Sequence, residues 1–211
     1  MHLTSGLPAS LSDILVHRVV TVTASVEGRP DGAEEGVPSG SMYLTSSDYE
    51  MVHDGGGEQV VGIVFPSVPV PAGVTVTAAY VLFDVDEVRP GASDADVTIS
   101  IFGEKNANAA APSNTASDLS SRTPTAAAVS WQPEPSVGVH DELMTADLSP
   151  IVNEIINQQG WAEGNPMGIL FGHVAGSGSR WVVRRHVVAS VALRSHTRRV
   201  RDRKPSRPTT A

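Results

Sequence analysis

The stretch VTVTAAYVLFDVDEV, residues 74–88, decides the fold class that this sequence predicts. It is rich in β-branched and aromatic residues, which favour pleated strands. Successive side chains of a strand point to opposite faces, so Val81, Phe83 and Val85 would share one face while Asp84 lies on the other. We therefore expect a long strand that buries one face in a core.

Seven further segments share this strand-like composition. Clusters of Gly, Pro, Asp and Ser separate them, and these residue types favour turns over strand pairing. The expected strands are residues 16–25, 42–50, 59–65, 97–102, 126–131, 167–174 and 181–193. Many short strands between turns are typical of antiparallel sheets. The sequence therefore predicts a mostly β fold, an antiparallel β-sandwich of the jelly-roll type.

One segment departs from this pattern and predicts a short amphipathic helix at residues 149–159. Ser149 suits the N-cap, Pro150 suits the first helical position, and Gly160 would end the helix. Five apolar residues recur at helical spacing, namely Leu148, Ile151, Val152, Ile155 and Ile156. We expect this helix to lie across one end of the sandwich and to bury its apolar face.

We expect one folded domain at residues 15–193. Residues 1–14 are expected to form a disordered N-terminal segment, and residues 194–211 a basic disordered tail. Within the domain, residues 106–125 are rich in Ala, Ser, Asn and Thr, and they predict a long surface loop with too little apolar material to pack tightly.

Charge divides the chain into two parts. Residues 1–179 hold 22 acidic and 5 basic side chains, whereas residues 180–211 hold 10 basic and 1 acidic. The acidic part disfavours nucleic acid as a partner, while a genuine basic tail could bind polyanions. The alternative is that the tail comes from a mispredicted exon or a shifted reading frame.

Three further features bear on the compartment. No run of about 18 apolar residues is present to span a bilayer. The chain contains no cysteine, which leaves the redox compartment open. The first residues lack the pattern of a secretory signal, so we expect either an intracellular protein or a fragment.

No motif of catalysis is evident. The seven histidines occur singly, without an HExxH pair, and no GxSxG elbow appears. The glycines of residues 176–179 lack the lysine that a phosphate-binding loop requires. Glycoside hydrolysis by a pair of carboxylates stays an alternative, because the sequence does not give the distance between two carboxylates. We therefore expect a protein that is not an enzyme and assign no catalytic residue.

Acidic clusters are the most specific local feature. Some lie in the expected loop at residues 28–40, and others alternate along the strand and turn that follow. Carboxylates and loop carbonyls suit calcium, which accepts about six to eight oxygen ligands in flexible geometry. The other interpretation is that these residues are solvated turn residues. The candidate calcium ligands are Asp31, Glu34, Glu35, Asp48, Glu50 and Asp54. A second, less favoured cluster comprises Asp84, Asp86, Glu87, Asp94 and Asp96.

An exposed aromatic ring is the usual means by which a β-sandwich holds a sugar. Tyr43, Tyr49, Trp131 and Trp181 are the candidates. Trp131 ends an apolar segment and is expected in the core. Tyr49 precedes an acidic turn, and we assign it as the ligand-binding residue.

Several segments together resemble a known module. They are DGAEE (31–35), LTSSDYEMVHDGG (44–56), QVVGIVFPSVPVPAGVTVTAAYVLFDVDEV (59–88), SSRTPTAAAVSW (120–131) and DLSPIVNEIINQQGWAEGN (147–165). The set resembles a β-sandwich module that recurs in large secreted or surface proteins of marine bacteria and microalgae. It is similar in style to the DNRLRE-type carbohydrate-binding domains. The resemblance implies a jelly-roll fold, an adhesive or glycan-binding role and a secreted or cell-surface location. It ends at Arg180, where the charge reverses.

Three hypotheses about function follow. The first is a calcium-supported, non-catalytic adhesive or glycan-binding module whose partners are a glycan or neighbouring modules of a surface protein. The second is a polysaccharide-active enzyme, and the third is a structural repeat unit of a fibrous or matrix protein. The oligomeric state is not predictable from these features.

Overall fold

The fold is described from a computed structural model, for residues 17–26, 31–55, 57–135, 137–183 and 187–196. Within these residues thirteen strands and one helix are present. They are β1 (His17–Val26), β2 (Gly32–Gly36), β3 (Ser41–Tyr43), β4 (Asp48–Glu50), β5 (His53–Asp54), β6 (Gly57–Phe65), β7 (Thr75–Glu87), β8 (Val97–Glu104), β9 (Pro124–Trp131), β10 (Glu142–Met144), α1 (Ser149–Ile156), β11 (Met167–Gly176), β12 (Trp181–Val183) and β13 (Val187–His196).

The strands form two antiparallel sheets in two layers. The first sheet has the order β1-β13-β7-β12-β4, with β10 also pairing with β7. The second has the order β3-β2-β6-β11-β8-β9, with β5 also pairing with β6. The predicted antiparallel β-sandwich is confirmed.

Between the sheets lies one large apolar core. On β7, Val81, Phe83 and Val85 are buried, as the alternation of the sequence predicts. Phe83 contacts Trp131 and Phe171 from the second sheet, with ring centroids 6.2 Å and 5.6 Å away. The expected core position of Trp131 is therefore confirmed, and aromatic packing joins the two layers.

The helix packs as expected, although it ends at Ile156, three residues before the predicted end at residue 159, and its N-terminal cap differs. Ile151, Val152, Ile155 and Ile156 are buried. The carboxylate of Asp147, rather than the Ser149 side chain, accepts hydrogen bonds from the Ser149 backbone N–H (2.9 Å) and hydroxyl (3.0 Å). The same carboxylate accepts the N–H of Ala79 on β7 at 2.9 Å. Asp147 thus fixes the start of α1 to the first sheet.

Several boundaries differ from the sequence prediction. Residues 32–36, which we expected in a loop, form the buried strand β2. Residues 42–50 divide into β3 and β4, and residues 181–193 divide into β12 and β13. Strand β13 continues to His196, so residues 194–196 pair in the first sheet instead of starting a disordered tail. The expected disordered segment 1–14 and the tail beyond residue 196 lie outside the described residues.

The long loop at residues 106–123 is packed more tightly than its composition predicts. Leu119 is 1% exposed and packs with Ala33 and Leu170 on the outer face of the second sheet. Gly62 makes this contact possible, because a Cβ there would overlap the Leu119 side chain. Arg122 ties the loop down, since it binds Glu104 at 2.7 Å and Asp118 at 2.9 Å.

Candidate functional site

The adjacent carboxylates Glu34 and Glu35 point to opposite faces of β2. Glu34 accepts the backbone N–H of Glu50 at 2.8 Å and the Gln59 side-chain amide at 3.2 Å. Glu35 accepts the backbone N–H groups of Leu119 and Ser120 at 2.8 Å and 2.9 Å. Each glutamate is 2% exposed. These two predicted ligands therefore do not share a site, and each holds a separate segment of backbone in place.

Three of the predicted ligands interact with one another: Asp48 and Glu50 on β4, the edge strand of the first sheet, and Asp54 on β5. Burial raises the pKa of Glu50, the negative charges of Asp54 and Asp48 raise it further, and a hydrogen bond from the Trp181 indole N–H (3.2 Å) acts in the opposite direction. We call Asp48, Glu50 and Asp54 the acidic end. The positive charge of Arg89 also acts against the rise in the pKa of Glu50.

A cation of the protein lies beside the acidic end. The Arg89 guanidinium lies 4.7 Å from the centroid of the Trp181 ring, within the range of a cation–π contact. It also makes two 3.0 Å hydrogen bonds to the Glu87 carboxylate. Both side chains are about half exposed, at 48% and 49%. Arg89 therefore covers Trp181, which is 3% exposed, and keeps it from serving as an open stacking platform.

The six predicted calcium ligands are thus divided among different places. Asp31 precedes β2, and burial raises its pKa. Among the described residues, no group of three or more His, Asp or Glu side chains is arranged to hold a metal ion. Calcium binding stays a prediction, and the acidic end is the part of the predicted set that comes together.

From the second acidic cluster, Asp94 and Asp96 act on a buried arginine. Arg180 is 1% exposed, and burial lowers its pKa while these two carboxylates oppose that shift. Its side chain donates to the backbone carbonyls of Glu134 (3.0 Å) and Pro133 (3.3 Å), among others. Arg180 therefore fixes the segment that follows β9.

Tyr49, the predicted sugar-binding residue, lies in the core at 1% exposure. The expectation that its ring is exposed is wrong. Its hydroxyl occupies space that Gly32 leaves empty, since a Cβ on Gly32 would overlap it. Among the aromatic candidates of the sequence, Tyr43 is the exposed one, at 53%.

An open surface lies on the outer face of the second sheet, across β11, β8 and β9. Gly172 lies opposite Ser100, and Ser100 lies opposite Ser130. In the next row, the half-buried Phe102 lies opposite Ala128. A Cβ on Gly172 would meet only the Phe102 ring, at 3.8 Å. Small side chains thus form a floor beside an aromatic ring. We call this surface the Phe102 face, and its members are Thr98, Ser100, Phe102, Ala128, Ser130, Gln132 and Gly172.

Two features border the Phe102 face. On one side, Phe102 packs against the buried residues Ala33, Leu119 and Leu170, which we call the Leu119 cluster, so the 106–123 loop covers the neighbouring part of the sheet. On the other side, Gln132 donates from its side-chain amide to the Thr98 hydroxyl at 3.0 Å. Gln132 also borders an open groove of about 290 Å³. The groove is lined by Asp96, Val97, Gln132, Pro133, Glu134 and Pro135.

The sequence carried part of the signal for this surface. VTISIFGE and PTAAAVSW both alternate, and Thr98, Ser100, Ala128 and Ser130 fall on the non-core positions of these strands. Their common location depends on the pairing of β8 with β9 and β11, which the sequence does not specify.

Searches against protein-family models and against curated proteins find no match for this chain. Within the described part of the chain, no helix has the length and apolar character needed to cross a membrane. The strands and the helix described above define the class of this protein: an antiparallel two-layer β-sandwich with one helix among the described residues.

Proposed function

We propose that this chain is a non-catalytic glycan-binding or adhesive module of a secreted or cell-surface protein, and that its ligand lies on the Phe102 face. The observation that carries the proposal is the open row Gly172, Ser100 and Ser130 beside the half-buried Phe102 ring. The resemblance to DNRLRE-type carbohydrate-binding domains supports the same role.

The chemistry of this face suits a sugar. A pyranose ring presents an apolar C–H face, which packs on an aromatic ring, and hydroxyl groups, which exchange hydrogen bonds with polar side chains. Here Phe102 supplies the apolar contact, while Ser100, Ser130 and Gln132 supply donors and acceptors. Neighbouring strands lie about 4.8 Å apart, so β11, β8 and β9 give a floor about 10 Å wide, enough for about two pyranose rings.

The face is also held rigidly, which lowers the entropic cost of binding. Phe102 is buttressed by the Leu119 cluster. The loop that contains Leu119 is fixed by two hydrogen bonds to the buried Glu35 carboxylate. A ligand would therefore meet a preformed surface.

Calcium belongs to this proposal as a stabilising ion at the acidic end. The support is that three carboxylates, Asp48, Glu50 and Asp54, come near enough to one another for the charges of Asp48 and Asp54 to act on Glu50, and carboxylate oxygens are the ligands that calcium prefers. The ion would act on stability, since the acidic end lies on β4 and β5, whereas the Phe102 face lies on β11, β8 and β9.

The test is binding of the full chain to a panel of immobilised glycans, with two variants. Gly172→Gln fills the floor where the structure has room for a side chain, and Phe102→Ala removes the ring. We expect each variant to weaken binding at least about tenfold, the effect of losing about 1.4 kcal/mol. Thr75→Gln, at an exposed position of the first sheet, is the matched control and should bind like the wild type.

The outcomes separate the hypotheses. Binding that survives both variants contradicts the proposed site, and release of new reducing ends favours the enzyme hypothesis. Absence of binding to every glycan overturns the proposal and favours the structural repeat unit.

A further inference from the structure

The groove next to the Phe102 face presents carboxylates to its ligand. Asp96 and Glu134 line it and are exposed, and Pro133 and Pro135 form rigid walls. Of the described residues that line the groove, none carries a positive charge. Gln132 belongs both to the groove and to the Phe102 face, so a chain-like ligand would pass from one to the other.

The buried arginine beneath this groove is not available to a ligand. A guanidinium has five N–H donors. In Arg180 the Nε group donates to Glu134 O at 3.0 Å, Nη1 donates to Ala95 O (3.3 Å) and Ser179 O (3.0 Å), and Nη2 donates to Ala95 O and Pro133 O (both 3.3 Å). Its donors are thus committed to backbone carbonyls, and the side chain is 1% exposed.

From this arrangement we infer that the groove selects neutral glycans against glycans that carry carboxylate or sulfate groups. This inference rests on the proposed function. Asp96 and Glu134 can accept hydrogen bonds from sugar hydroxyls, and they repel anionic substituents. The buried Arg180 charge interacts with Asp94 and Asp96 and has no free N–H donor for an anion. The excess of acidic over basic side chains in residues 1–179 adds a general repulsion of anions at low ionic strength.

The test compares two sets of hexasaccharides on the full chain at low salt. The neutral set contains cello-, xylo-, manno- and laminari-hexaose, and the anionic set contains oligo-galacturonate, oligo-alginate and sulfated galactan fragments. We expect the best neutral ligand to bind at least about tenfold more tightly than any anionic one. We expect the double variant Asp96→Asn with Glu134→Gln to reduce that ratio at least about threefold.

A matched control removes the same number of negative charges at two positions outside the groove. Glu142→Gln with Glu163→Gln alters two exposed carboxylates that do not line the groove, and the ratio should stay at its wild-type value. All four side chains are exposed, and Asp96 also offsets part of the cost of burying the Arg180 charge. Circular dichroism of both double variants therefore accompanies the binding measurement, and the ratio is compared for folded protein.

Each result is decisive. A neutral preference that the groove variant reduces and the control does not supports the inference. Equal binding of both sets, or an equal effect of the two double variants, overturns the selectivity and leaves the glycan-binding role standing. Binding of neither set overturns both.

Discussion

Replacement of Arg180 by methionine tests how the segment after β9 is held in place. Methionine keeps much of the side-chain volume and removes every donor. The backbone carbonyls of Ala95, Ser179, Pro133 and Glu134 would then lose their arginine donors. An unsatisfied buried acceptor costs about 1–3 kcal/mol. The bonds to Ser179 and Pro133 are buried and those to Ala95 and Glu134 are part-buried, so we expect the four losses together to cost at least about 3 kcal/mol.

An opposing effect limits this cost. Burial of a charge is itself unfavourable, and an apolar side chain avoids it. We therefore use the lower end of the range and expect the free energy of unfolding to fall by about 3 kcal/mol. For a chain of this size, that corresponds to a fall in Tm of about 6–12 °C.

The assay is thermal and urea unfolding followed by circular dichroism. Arg89→Met is the matched control, because Arg89 is about half exposed and water screens its ion pair with Glu87, so its loss should change stability little. Arg180→Met within about 0.5 kcal/mol of the wild type would refute the reasoning. It would show that these carbonyls do not depend on the guanidinium.

Three further predictions concern the acidic end, the loop and calcium. Because the pKa of Glu50 is raised in the folded state, ionisation of Glu50 destabilises the fold above that pKa, and the cost is relieved as the pH falls through it. Glu50→Gln removes the charge and keeps an acceptor for the Trp181 indole N–H. After allowance for solvent screening of a partly exposed group, we expect Tm at pH 7 to rise by about 1–2 °C. A lower Tm contradicts this prediction. Gly62→Ala should lower the free energy of unfolding by about 1–3 kcal/mol, because the added methyl group overlaps Leu119. When Leu119→Ala is added to the same chain, the overlap disappears and part of this stability should return. If the two losses of stability are strictly additive in a double-mutant cycle, the contact is contradicted. Millimolar calcium should raise Tm of the wild type, with EGTA as the control. It should not raise Tm of the double variant Glu50→Gln with Asp54→Asn. If calcium does not shift Tm of the wild type, the ion is removed from the proposal.

Local pattern was enough to predict much of the fold. The alternation in β7 predicted which side chains enter the core, and the spacing in α1 predicted its buried face. Both patterns depend on residues that lie close together in the chain. They are therefore readable from a short stretch of sequence.

Contacts between distant residues were not predictable in the same way. Glu35 accepts hydrogen bonds from Leu119 and Ser120, which lie more than 80 residues away. Its surroundings in sequence are Gly, Pro and acidic residues, which are typical of a turn, so β2 was predicted as a loop. Tyr49 was expected at the surface because it precedes an acidic turn. Its burial depends on the space that the distant Gly32 leaves, which the local sequence does not reveal.

The candidate sites divide along the same line. Asp48, Glu50 and Asp54 are neighbours in sequence and do interact, whereas Glu34 and Glu35 were predicted with them and serve separate hydrogen bonds. The Phe102 face was missed because its three strands come together only through sheet pairing.

The central claim is that the ligand lies on the Phe102 face. The most direct measurement is an amide NMR titration of the full chain with the best-bound neutral hexasaccharide from the panel. We predict that the largest shift changes occur at Ser100, Phe102, Ser130, Gln132 and Gly172, with smaller changes along the groove from Asp96 to Glu134. Changes confined to the acidic end, or spread over the first sheet with none on β8 and β9, would contradict the account.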